Sequence, residues 1–146
     1  MDPNPHLQPL AALAGEWTTR GTHPMLPGRT FHGHTSFEWL ESGAFLLAHM
    51  RIDEPEIPDG VAVFGTDDVR PGAGTMLYFD DRGVSREYGW TVSNKIWTWS
   101  RNDPDFSQRM QLTISEDARS IVSRGEMSRD GATWEPDLQL TYTRAS

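Results

Sequence analysis

Arg86 and Tyr88 stand two residues apart in a run that alternates large and small side chains, which puts a guanidinium and a phenol on one face of a strand. Val84, Arg86, Tyr88, Trp90 and Val92 oppose Ser85, Glu87, Gly89 and Thr91, and the bulky set belongs inside. A second run repeats the pattern, with Phe106, Gln108, Met110, Leu112 and Ile114 against Ser107, Arg109, Gln111 and Thr113. Buried guanidinium, phenol and amide groups each need a hydrogen-bond partner. Two chemistries follow for Arg86 beside Tyr88. A nearby cation favours the phenolate, which would let Tyr88 carry a proton. The plainer reading, which we prefer, gives Arg86 an ion pair or a ligand carboxylate. Tyr88, Trp90 and Gln108 then line a site of apolar walls with a few orienting polar groups.

Other candidate chemistry is thinner. His32 and His34 share one face of a strand and His49 lies on the facing strand, but the hairpin register sets His49 opposite Ser36. No third ligand is near, so no metal site is assigned, and His49 stays a secondary ligand-site candidate. The absence of cysteine excludes disulfides, thiolate zinc sites and a cysteine nucleophile. No Gly-x-Ser-x-Gly elbow is present and every histidine lies in the first third of the chain. P-loop and dinucleotide fingerprints are missing as well. Asp80-Asp81-Arg82-Gly83 has too few spaced oxygens for calcium and reads as a turn. No catalytic residue is assigned. The chain reads as a binder of a small, mostly apolar ligand, with or without an anionic group, more than as an enzyme; an isomerase, cyclase or hydrolase working inside a cavity is the alternative.

The elements that position these residues are strands. The 146 residues fit a single domain spanning 1–146, and six Trp, six Phe and three Tyr favour β structure. Only Pro9 to Ala14, stopped by Gly15, suggests a short helix. Strands are predicted over 15–22, 31–41, 44–52, 61–67, 74–80, 84–92, 95–101, 106–116, 119–128 and 134–144. Ser42-Gly43, Ser93-Asn94 and Asp130-Gly131 suit two-residue hairpin loops, and Asp81-Arg82-Gly83 a short loop with a left-handed glycine. Ten strands without a crossover helix imply an all-β, antiparallel up-and-down meander that removes its edges by closing into a barrel.

In that barrel the longer connections 22–29 and 53–60 form the rim of the open end. The last strand turns Trp134, Leu138, Leu140, Tyr142 and Arg144 inward. Gly15-Glu16-Trp17 opens the first strand and Arg144 closes the last; Trp17 plugs the floor and the Arg144 guanidinium stacks across its ring, an architectural pair. In the 31–52 hairpin, Thr35, Phe37 and Trp39 pair with Met50, Ala48 and Leu46 as core. Its other face carries His34, Ser36, Glu38, Phe45, Leu47, His49 and Arg51, a candidate subunit interface, or the pocket if the sides are reversed; a homodimer through barrel walls and a monomer stand as alternatives.

A net charge of −8 with acids spread along the chain argues against nucleic acid or an anionic membrane as partner. No apolar run approaches a membrane span, and the first fifteen residues lack the basic start of a signal peptide. The expected compartment is the cytoplasm.

Four segments carry a family likeness: Leu13-Ala14-Gly15-Glu16-Trp17, the run from Tyr78 to Arg86, Asp105-Phe106-Ser107-Gln108-Arg109, and the run from Ser128 to Glu135. They resemble a group of bacterial proteins of unknown function related to the calycins, which include lipocalins and fatty-acid-binding proteins. The resemblance spans nearly the whole chain and implies a closed antiparallel barrel without an established substrate. The opening is also similar to nitrobindins, ten-stranded haem barrels that begin with Gly-x-Trp and a loop containing Gly and Pro. Nitrobindins ligate haem iron through a histidine late in the chain, and here no histidine follows His49. The expectation is therefore no cofactor, with haem held by His49 or a tyrosine as the alternative.

Overall fold

The computed structural model describes residues 4–145. A 3-10 helix, Pro5–Leu13, leads into β1 (Gly15–Thr22), β2 (Phe31–Leu40), β3 (Phe45–Ile52), β4 (Gly60–Thr66) and β5 (Ala73–Asp80). There follow β6 (Ser85–Ser93), β7 (Ile96–Arg101), β8 (Ser107–Ile114), β9 (Ser120–Ser128) and β10 (Glu135–Arg144). Each strand pairs antiparallel with the next and β10 returns to β1, so the sheet closes into a barrel. The strands lie close to their predicted bounds because alternation and turn residues mark both.

The N-terminal segment departs from the short helix expected over Pro9 to Ala14. Asn4 caps it, its side chain accepting from the His6 N–H at 3.0 Å. Leu7, Leu10 and Leu13 recur every third residue and all are fully buried. Three residues per turn is the 3-10 period, so one ridge of leucines packs into the barrel end.

Trp17 and Arg144 are direct cross-strand partners at the β1–β10 seam. The Arg144 guanidinium lies 4.2 Å from the Trp17 ring centre. It donates to the carbonyls of Ala14 (2.8 Å) and Ala118 (3.0 Å) and to that of Ala12. The Trp17 indole N–H donates to the Leu13 carbonyl at 2.8 Å, so helix, first strand and last strand are fastened together. Gly15 is required here: its φ is +123°, and a Cβ would meet the Arg144 guanidinium at 2.9 Å.

Several turn and face expectations are corrected. The two-residue loop between β6 and β7 is Asn94-Lys95, not Ser93-Asn94, with φ of 50° and 65°. Those paired positive values are the type I′ geometry that matches strand twist. Between β2 and β3, Leu40 pairs with Phe45 across a short 3-10 turn, although the predicted register of Trp39 with Leu46 holds. The Asp130-Gly131 loop is longer than a two-residue hairpin, because the Asp130 carboxylate accepts from the Ala132 and Thr133 N–H groups at 2.8 and 2.7 Å. Trp39, expected in the core, is 36% exposed at the end of β2.

Trp134 is also not inside. The β9–β10 register shifts between Pro136 and Gln139, a bulge beside a proline that cannot donate to the ladder. Trp134 instead lies on the outer wall under the Arg109 guanidinium, 3.8 Å from its ring centre. Arg144→Ala removes three charge-assisted hydrogen bonds, so unfolding free energy is expected to fall by about 3 kcal/mol. Urea denaturation checks it; a loss under about 0.5 kcal/mol would mean the seam holds without this clamp.

Candidate functional site

The barrel has unlike ends. At one, the leucine ridge, Trp17, Leu46, Leu112 and Ile121 are fully buried, and the three core leucines seal the floor. At the other, the loops 23–30, 53–59, 81–84, 102–106 and 129–134 surround the mouth. Both long connections expected at the rim are there. Arg29 ties them, donating to the two Glu54 carboxylate oxygens at 2.7 and 2.8 Å, while Leu26 and Ile57 pack against the core from above.

Alternation along β6 and β8 turns Arg86, Tyr88 and Gln108 inward, and the structure brings all three together. The Tyr88 hydroxyl donates to Gln108 Oε1 at 2.5 Å, and Arg86 Nη1 donates to the same oxygen at 3.3 Å. Gln108 Nε2 donates to Asp137 Oδ2 at 3.1 Å. The other oxygen, Asp137 Oδ1, lies 2.9 Å from His23 Nε2. His23 Nδ1 accepts from the Met25 N–H at 3.0 Å, so Nε2 carries the ring proton and donates to Asp137. A continuous chain thus runs from the first rim loop through β10 and β8 to β6.

Asp137, His23, Arg101 and Phe106 join the site without having been singled out as site residues. The bulge at 137–138 turns Asp137 inward against strict alternation; Pro136 was the available signal. Phe106 lies beneath Arg86, 5.2 Å from guanidinium carbon to ring centre. Arg101 follows Trp97 and Trp99 on the inward face of β7, pairs with Gln108 across the ladder, and reaches Asp103 at 3.3 Å. Among the described residues, Arg86 is the inward-facing guanidinium at the mouth with no carboxylate partner.

Two predicted site residues are elsewhere. Trp90 faces in but is sealed, donating from Nε1 to the Gly65 carbonyl at 2.8 Å, and a side chain on Gly74 would collide with its indole. Its role is architectural. His49 points away from the interior, because the inward positions of β3 are Leu46, Ala48 and Met50. Below the polar chain lie Phe37, Phe64, Trp97 and Trp99, with ring centres 4.8 to 6.1 Å apart. Trp99 is 8% exposed and Trp97 fully buried. The Trp97 indole N–H is, among the described residues, the buried side-chain donor without a hydrogen-bond partner. Its neighbours are ring faces, which offer only weak acceptance.

Burial pushes the Tyr88 phenol up, and the neighbouring Arg86 and Arg101 charges do not offset it. It is therefore a neutral hydrogen-bond donor rather than a phenolate base. Beside it, Tyr78 meets Tyr88 edge to face at 6.2 Å and donates to Asp80 Oδ2 at 2.8 Å. Burial alone would raise the Asp80 carboxyl, but hydrogen bonds from Arg82 and Tyr78 outweigh it and hold the group at about 2.

No protein-family model matches this chain, and no curated protein matches it in sequence. Solved structures share its fold. The crystal structure of Rv2717c from M. tuberculosis superposes with a TM-score of 0.76 at 16% identity, covering 99% of this chain and 100% of that one. The S-type phycobiliprotein lyase CPES from Guillardia theta gives 0.62 at 8% identity, over 92% and 89%. The fold is calycin-like. No helix among the described residues is long and apolar enough to cross a membrane.

The inward residues do not fit a histidine-ligated haem. His23, at the mouth, has both ring nitrogens engaged, His49 faces outward, and His34 is held by Glu16 at 2.9 Å on the outer wall. Among the described residues no three His, Cys, Asp or Glu side chains are grouped to hold a metal ion. The Asp80 cluster has a pH signature. A carboxyl depressed from 3.8 to about 2 contributes stability that is present above 3.8 and lost as pH falls toward 2. Between about pH 4 and pH 2, Asp80→Asn is expected to lose melting temperature less steeply than wild type. Parallel slopes would show that the cluster contributes nothing to acid sensitivity.

Proposed function

We propose that this protein binds a small, mostly apolar molecule through the open end of its barrel and that Arg86 receives an anionic group of that molecule. One observation carries the reading: a partly buried guanidinium that has no carboxylate partner among the described residues, held over aromatic and aliphatic walls. Leaving such a charge without a counter-ion in a low-dielectric mouth is costly, and a ligand anion relieves the cost. Asp137, through Gln108, and Phe106 set where the guanidinium sits. Trp99, Tyr88 and Met110 supply the apolar contact surface, and the rim loops with Leu26 and Ile57 narrow the entrance. The likeness to a phycobiliprotein lyase is consistent with a barrel that holds a small organic molecule. The Tyr88 phenol, neutral and hydrogen-bonded, and His23, with both ring nitrogens hydrogen-bonded, favour binding over proton-transfer chemistry.

The test uses 8-anilinonaphthalene-1-sulfonate, an apolar anion whose fluorescence rises on burial. Wild type is expected to bind it, and Arg86→Leu to bind at least about tenfold more weakly, the scale of one lost charge-assisted hydrogen bond. His49→Ala should leave binding unchanged. Equal affinity in wild type and Arg86→Leu would contradict the assignment of Arg86.

A further inference from the structure

A closed barrel is convex outside, so a hollow in its outer wall needs a local irregularity. The bulge between Pro136 and Gln139 supplies one, bending β10 where β1 leaves the ladder at the Thr22–Gln139 pair. A cleft of about 350 Å3 lies there across β1, β10 and β9, on the wall rather than at the mouth. Arg20, Thr22, Thr30, Arg124, Gln139 and Thr141 bring polar groups to its lining. The chain carries 21 Asp and Glu against 13 Lys and Arg, yet two guanidiniums and no carboxylate line this cleft.

Arg20 shares a ladder row with Thr141 and Val122, and Arg124 shares the next outward-facing row with Gln139 and Thr22. Two strand spacings and a two-residue offset set their backbones about 12 Å apart, a gap that two arginine side chains can close from opposite sides. Among the described residues neither has a carboxylate partner, whereas neighbouring Arg109 pairs with Glu126 at 3.0 Å and lies over the Trp134 ring. The Thr22, Thr30 and Thr141 hydroxyls likewise have no hydrogen-bond partner among the described residues. Gln139 donates its amide to the Gly125 and Asp137 carbonyls at 2.8 and 3.2 Å, which pins it to the bulge and leaves Oε1 as an acceptor. Two uncompensated guanidiniums with hydroxyl donors between them suit a group of two charges and several acceptor oxygens. A phosphate monoester has three such oxygens and ionises a second time near pH 6, at about 6. A diester or a monocarboxylate leaves one guanidinium uncompensated. The Gln139 oxygen suits a hydroxyl on the body of the ester. We propose that this cleft is a second binding site, for a small hydroxylated phosphate monoester held between Arg20 and Arg124. It is independent of what the interior holds.

The test compares charge at a constant, minimal body. Methyl phosphate, dimethyl phosphate and acetate are titrated into the full chain above pH 7 at fixed ionic strength, with the arginine Nε–Hε resonances as the readout. In wild type, methyl phosphate should shift Arg20 and Arg124 saturably and bind at least about tenfold more tightly than either monoanion. Arg20→Gln and Arg124→Gln should each weaken methyl phosphate by about tenfold and bring it level with dimethyl phosphate. Both side chains are exposed, and the wild-type series decides the matter even where a variant folds poorly. Dimethyl phosphate or acetate binding as tightly as methyl phosphate would overturn the assignment. So would shifts at the exposed Arg51 and Arg129 as large as those at Arg20 and Arg124, the mark of general charge screening. Arg86→Leu should leave methyl phosphate binding unchanged, which separates this site from the one at the mouth.

Discussion

The seam between the first and last strands is what makes an inside of this sheet. Trp17 and Arg144 face each other there, more than a hundred residues apart in sequence, and the guanidinium fastens the seam to the helix that closes the floor. An open ten-stranded meander would carry two unpaired edges and leave the Tyr88 face in water. Closure is a non-local event, with a large loop-entropy cost that local hairpins do not repay. That is a physical reason for spending a glycine of unusual φ, a buried indole and a many-donor side chain on one joint.

Given closure, the two halves of the interior are built on different terms. The floor is stabilised by apolar area removed from water, through leucines, tryptophans and phenylalanines that need few partners. Tight approach is arranged locally: Gly74 leaves space that Trp90 fills, and its one polar atom is satisfied by the Gly65 carbonyl. The mouth instead carries charges, and each is tied to another element. His23, Asp137, Gln108, Tyr88 and Arg86 join a rim loop to three strands, and the guanidinium meets this chain through its hydrogen bond to Gln108 and its contact with the Phe106 ring. Such preorganisation reduces the entropy cost of binding.

The fold was largely legible because period-two alternation and turn residues are local signals. Alternation assigned Arg86, Tyr88 and Gln108 to one interior, and their meeting follows from β6 and β8 standing one strand apart. It failed where a local irregularity reset the count. A bulge next to Pro136 exchanged the roles of Asp137 and Trp134, sending a carboxylate in and an indole out. His23 was hidden for another reason, since a loop residue's partner is set by which end of the barrel its loop caps. The helix was misread because Leu7, Leu10 and Leu13 repeat at three rather than at the α-helical period. Trp90 and His49 show the converse limit: alternation gives a face, but neither depth nor accessibility.

Chemical-shift mapping of the nitrogen-bound protons while the apolar anion is added tests the central claim most directly. The account predicts shifts at the Trp99 indole, the Gln108 side-chain amide and the Arg86 guanidinium, with the Trp17 and Trp134 indoles unmoved. Shifts centred on Trp134 or on the outer face of β3, with the mouth silent, would contradict it.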